Sequence, residues 1–82
     1  MMFEYPLATE KAIGMIEKNN QITYIVAHDA TRSEIKKEFE RMFNVKVASV
    51  NISNTMDNRK KAAIKLRKEF KASDVAIKLK LV

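Results

Sequence analysis

The chain has 82 residues, no cysteine, a single histidine and a formal net charge of +6. A length like this fits one domain, residues 1–82, that buries only roughly 60–65% of the surface its unfolded form would expose. The lack of cysteine excludes a disulfide framework and a thiolate metal site. Glu4, Glu10, Lys11, Glu17 and Lys18 interrupt any apolar leader or membrane span near the start, so a cytoplasmic protein without membrane insertion is expected.

Phe3-Glu4-Tyr5 alternates and then meets Pro6, the pattern of a short edge strand. Thr9 can cap a helix running to about Asn19, with Ala12, Ile13 and Ile16 at helical spacing and Met15 alongside. Glu10 and Lys18 suit the two ends of its dipole. Gly14 costs this helix on the order of 1 kcal/mol relative to Ala. A close approach by a neighbouring element, or a docked partner, would account for it. Asn19-Asn20 closes the helix as a turn.

Gln21 to Ala27 is a β-branched strand, and His28-Asp29-Ala30 a connection. Thr31 and Glu34 form a capping box that opens a second helix. Ile35, Phe39, Met42 and Phe43 make its buried stripe, and Lys36, Lys37, Glu38, Glu40 and Arg41 its solvated face. Asn44 is a natural stop. Val45 to Ile52 is a strand whose alternation slips between Val47 and Val50, as at a bulge. Ser53 to Lys60 is a polar loop, and Lys61 to Arg67 the return strand of a hairpin. Ala62, Ile64 and Leu66 share one face of that strand; Lys61, Lys65 and Arg67 share the other. The last segment reads two ways. Val75, Ile77, Leu79 and Leu81 alternate like a strand, while Ser73-Asp74 before Val75-Ala76 and Leu79 fits a short capped helix.

The net positive charge is confined to the last third of the chain. Residues 1–50 hold seven Lys/Arg and seven Asp/Glu; residues 51–82 hold nine Lys/Arg and three Asp/Glu. A solvated surface explains a high pI but not this confinement. A polyanion partner, most often nucleic acid, explains both. Arg59, Lys60 and Lys61 leave the hairpin loop together, and Lys65 and Arg67 continue along the strand's outer face, spaced to follow a phosphate backbone. The alternative is a charged face that guards the sheet against edge pairing.

Catalytic chemistry is poorly supplied, so the chain is not expected to be an enzyme. His28 and Asp29 are neighbours whose side chains diverge in an extended segment, and His28 reads as an exposed loop residue. No ligand spacing suggests a metal, no glycine cluster suggests a phosphate loop, and no cofactor is expected. An RNA-recognition motif needs aromatics exposed on a central strand; Tyr24 is the only long-strand aromatic and reads as core.

Several segments together resemble one family. Pro6-Leu-Ala-Thr9-Glu10-Lys11 is similar to the Pro-x-x-Ser/Thr-Glu-Lys signature of the L-twenty-three family of large-subunit ribosomal proteins. Asp29-Ala-Thr31-Arg-Ser-Glu34-Ile35-Lys36 resembles its second-helix entry. Phe43-Asn-Val45-Lys-Val47 with Val50-Asn51, and Lys60-Lys61-Ala62 with Ile64-Lys65-Leu66, resemble its hairpin strands. Ala72-x-Asp74-Val75-Ala76-x-x-Leu79 resembles the tail of archaeal and eukaryotic members. Lys80 stands where the family often has Gly, and the short hairpin loop carries Met56-Asp57-Asn58 in place of a glycine-rich basic stretch, so the chain resembles the short archaeal type.

The resemblance implies an α+β fold, an antiparallel sheet of three to four strands with helices packed on one face, and a helical tail. It implies a structural protein, monomeric within the ribosome, that binds large-subunit rRNA and neighbouring ribosomal proteins near the exit of the nascent-peptide tunnel. Thr9, Lys11, Arg59, Lys60, Lys61, Lys65 and Arg67 would meet rRNA. Glu10 would be offered to the signal recognition particle and other nascent-chain factors. A free-standing basic nucleic-acid-binding domain is the alternative, and a small phosphate-ester or acylphosphate hydrolase a remote one.

Overall fold

Apolar residues at every second position of the strands and every third or fourth position of the helices leave each element one face to bury. The computed structural model, which describes residues 2–80, resolves this as a four-stranded antiparallel sheet and three helices. In chain order these are β1 (Phe3–Pro6), α1 (Glu10–Asn19), β2 (Gln21–Val26), α2 (Arg32–Phe43), β3 (Val47–Asn54), β4 (Lys60–Leu66) and α3 (Ala72–Lys78). The sheet order is β1-β2-β4-β3. The β3–β4 hairpin therefore inserts β4 between β2 and β3, and β1 and β3 form the edges.

One face of the sheet carries the core. Ile22, Tyr24 and Val26 of β2 lie beside Ala62, Ile64 and Leu66 of β4, with Val47 and Val50 of β3 and Phe3 of β1 on the flanks. Ile35 and Phe39 of α2, Ile16 of α1, and Ala72, Val75 and Ala76 of α3 close over them. Phe3 meets Tyr24 edge-on, with ring centroids 4.9 Å apart, and Phe39 lies 4.7 Å from Phe43. Tyr24 is thus a core residue, and burial pushes its phenol above the usual range. Alone among the stripe residues of α2, Met42 is exposed: it borders an open hollow with Met2 and Phe3 at the sheet edge.

The helix signals are realised atom by atom. Thr9 accepts from the Ala12 amide at 3.2 Å. Thr31 and Glu34 form the reciprocal capping box. Asn20 and Asn44 end α1 and α2 in left-handed conformations, φ 55° and 53°. Glu40 departs from its expected solvated role, because its Oε2 accepts from the Val47 amide at 2.8 Å and ties α2 to the start of β3. The bulge falls between Val47 and Ser49. β3 begins two residues later than expected and runs on to Asn54, so the turn shrinks to Met56-Asp57-Asn58, with Asn58 left-handed and the Thr55 amide donating to the Arg59 carbonyl.

The tail is a helix. Ile77, which a strand would have buried with Val75 and Leu79, is exposed, and Leu81 lies outside the described residues. Neither Ser73 nor Asp74 caps α3; its N-cap is Lys71, which makes no side-chain cap bond. The cap comes from 52 residues away: Asn20 Oδ1 accepts from the Ala72 amide at 2.6 Å. The same side chain donates to the carbonyls of Phe70 (2.8 Å), Leu66 and Arg67 (both 3.3 Å). After the helix, Lys80 takes a left-handed turn at φ 60° without needing glycine.

Two substitutions test this account. Asn20→Gly keeps the left-handed turn and removes the side-chain bonds; the amide's two N–H groups and one oxygen amount to three full bonds, so at about 1 kcal/mol net each the fold should lose about 3 kcal/mol in urea denaturation. A loss of only a few tenths would mean that water replaces those bonds at no cost. Nothing lies within 4 Å of where a Gly14 β-carbon would stand, so no close approach within the chain demands glycine there. Gly14→Ala should therefore raise stability by about 1 kcal/mol in the same measurement.

Candidate nucleic-acid interface

The inward residues of β4 fix what its outward residues must be. With Ala62, Ile64 and Leu66 in the core, Lys61, Ala63 and Lys65 face away from it. The register extends this face across the sheet. Lys65 lies between Gln21 and Ser49, Ala63 between Thr23 and Asn51, and Lys61 between Ile25 and Ser53. None of these nine residues is acidic. Lys61 and Lys65 stand about 13 Å apart along the strand. Arg67, just past the end of β4, is exposed, and its amide donates to the Lys46 carbonyl at 3.0 Å.

α1 lies at the rim of this face. Ile13 and Ile16 pack towards the core. Lys11, Ala12 and Met15 border a hollow of about 110 Å³ on the outer side, together with Leu7, Thr9, Gln21, Thr23, Lys61 and Ala63. Thr9 and Lys11 are thereby brought next to Lys61, from which they are fifty residues distant in sequence. The β2 part of the face is covered, with Thr23 and Ile25 both buried, so the open part is β3 and β4. Glu10 is exposed in the first turn of α1.

Two of the seven expected RNA-contacting residues, Arg59 and Lys60, are engaged elsewhere. Lys60 has the opposite parity from Lys61. Its Nζ donates to the carbonyls of His28 (3.0 Å) and Ala30 (2.9 Å), fastening the β2–α2 connection to the sheet. Arg59 donates to the Tyr5 hydroxyl, stands 5.6 Å from the centre of the Tyr5 ring and pairs with Asp57 at 3.2 Å. The Asp57 carboxyl is held below the usual range, first by the Thr55 hydroxyl and then by backbone amides and the Arg59 charge. That contribution to the turn is present above about pH 4 and fades as pH falls through the lowered value. Among the described residues, the ion pairs are Arg41–Glu38 and Arg59–Asp57. Lys11, Lys61, Lys65 and Arg67 take part in neither.

Sequence reading missed the contribution of β3. Ser49, Asn51 and Ser53 stand opposite Lys65, Ala63 and Lys61 only because the turn is three residues long and sets the register Asn54↔Lys60. A loop drawn from Ser53 to Lys60 hides that pairing; the turn-forming Asp57-Asn58 was the available signal.

A small α+β fold whose β2–β4 outer face carries lysines and no acidic residue defines a basic single-sheet domain. The sequence profile described as ribosomal protein L23 matches residues 2–80. The large ribosomal subunit protein uL23 of the archaeon Methanothermobacter thermautotrophicus is 40% identical over 74 residues, covering 90% of this chain and 86% of that protein. The chain belongs to the ribosomal protein L23 family of the large ribosomal subunit, and membership implies a structural role in translation.

Lys60 and Lys61 are adjacent yet should fail differently. Lys60→Met should lower stability by about 1–2 kcal/mol, by unfastening two carbonyls, and leave polyanion affinity nearly unchanged. Lys61→Met should leave the denaturation midpoint unchanged and weaken heparin binding several-fold. Identical profiles for the two would remove the distinction drawn from strand parity.

Proposed function

We propose that this protein holds its place in the large subunit by binding rRNA through the outer face of β4 and the adjoining start of α1. Lys61, Lys65, Arg67 and Lys11 neutralise phosphates, and Thr9 contributes a hydroxyl at the rim. The observation that carries this reading is the conjunction of Lys11 and Lys61 around one hollow whose lining holds no carboxylate. Phosphate contacts of this kind supply affinity and register, with folded RNA recognised by shape. Arg59 and Lys60 support the interface from within, by bracing the turn and the β2–α2 connection. Neighbouring ribosomal proteins complete the surroundings.

The same reading puts the chain near the exit of the nascent-peptide tunnel. Exposed, outside the ion pairs of the described residues and next to the RNA-facing Lys11, Glu10 offers an acid to basic docking factors, the signal recognition particle among them. The three-residue turn is too short for a long extension into the tunnel.

Sedimentation of a lysate through a sucrose gradient tests the assignment. The protein should travel with the large subunit and stay there in high salt; recovery at the top of the gradient would favour a free-standing nucleic-acid binder. Replacing Lys61 and Lys65 together by Ala should reduce the slope of log affinity for rRNA against log salt by about two. An unchanged slope would remove both lysines from the interface. Glu10→Lys should weaken factor docking on assembled ribosomes while leaving incorporation intact; equal loss of both would assign Glu10 to the fold.

A further inference from the structure

Charge alone does not explain the composition of the open face. Around the lysines it is made of short uncharged polar side chains: Ser49 beside Lys65, Asn51 beside Ala63 and Ser53 beside Lys61, all three exposed. β3 is an edge strand, yet Val47–Asn54 contains no lysine, arginine, acid or proline, the residues that ordinarily guard an edge. The bulge at its start is the one guard it has. Edge protection therefore does not account for these three residues.

Their chemistry suits a particular ligand group. Serine hydroxyls and an asparagine amide both donate and accept hydrogen bonds, whereas a phosphate only accepts. The ribose 2′-hydroxyl donates and accepts, and it lies between phosphates along an RNA strand. Bases splayed from a single strand need an aromatic platform. The aromatic beside this face, Tyr5, already carries the Arg59 guanidinium on its ring and on its hydroxyl. Ala63 and the two serines leave a low floor between Lys61 and Lys65, which lets a sugar–phosphate backbone come close.

We propose that Ser49, Asn51 and Ser53 contact the 2′-hydroxyls of base-paired RNA, with Lys61 and Lys65 on the flanking phosphates. The face thus distinguishes RNA from DNA, and double-helical from single-stranded RNA. This rests on the RNA-binding reading above and specifies its substrate. Asn51 has the central part, because it stands opposite Ala63, midway between the Ser49–Lys65 and Ser53–Lys61 pairs.

The test uses the whole chain and four fluorescein-labelled probes: an RNA hairpin, the same hairpin 2′-O-methylated, the same sequence as DNA, and oligouridine. Methylation removes the hydroxyl donor while keeping the phosphates. The wild type should bind the RNA hairpin about tenfold more tightly than the other three, the equivalent of one or two hydrogen bonds. Asn51→Ala should lose roughly fivefold on the RNA hairpin alone, with unchanged salt dependence and an unchanged circular dichroism spectrum. Equal affinity for the RNA and methylated hairpins would overturn the proposal, as would oligouridine binding as tightly as the RNA hairpin. So would an Asn51→Ala loss shared by all probes. Salt-dependent binding to all four alike would still leave the phosphate reading standing. Absence of salt-dependent binding to every probe would instead overturn that reading itself.

Discussion

The structure depends on one strand that has to satisfy two environments at once. β4 sits between β2 and β3, so both of its backbone edges are paired. Its only freedom is which side chains go inward. Ala62, Ile64 and Leu66 are apolar and Lys61 and Lys65 are charged, and a slip of one residue would drive both lysines into the core. The penalty for a buried unpaired ammonium is large enough to lock the register. Once it is locked, β2 and β3 are aligned to it, and the basic row is held on a rigid sheet instead of a mobile loop. The same alternation explains why Lys60 and Lys61 do different work. One is directed to backbone carbonyls on the core side, the other to the open face.

A second constraint comes from Asn20. Its backbone ends α1 in the left-handed region, which asparagine tolerates better than most residues. Its side chain then serves the end of β4, the following turn and the first turn of α3. A single short amide thus anchors the tail, whose own residues lack a side-chain cap. It also connects α1, at the rim of the proposed RNA face, to the end of the strand that carries the lysines. The two parts of that face are held in one frame by the core and by this amide.

Family membership spans nearly the whole chain, and the physical reading agrees with it at the level of the fold. The chemistry of the face adds something that membership does not. Of the cations in the last third of the chain, Arg59 is committed to Tyr5 and Asp57, and Lys60 to the β2–α2 connection. Net charge therefore overstates the number of groups free to meet a polyanion. The uncharged Ser49, Asn51 and Ser53 are exposed on the same face as Lys61 and Lys65.

The amino-acid sequence by itself determined the elements whose signals are local. Thr9, the Thr31–Glu34 box, Asn20 and Asn44 set both long helices to within a residue, because caps act on amides three or four positions away. Strand alternation separated the inward from the outward residues of β4, and the charge imbalance pointed to the face that carries them. The tertiary structure alone decided what depends on distant partners. The alternation of Val75, Ile77 and Leu79 is equally compatible with strand and helix; packing of Val75 and Ala76 on the core, with Asn20 supplying the cap, selects the helix. Met42 falls on the right stripe but at the sheet edge, where nothing covers it. Lys11 comes to border one hollow with Lys61, and Ser49 comes to stand opposite Lys65, only after β4 is inserted between its neighbours. Those juxtapositions come from long-range pairing, which no local pattern encodes, since a strand's sequence specifies which face it buries but not which strand lies beside it.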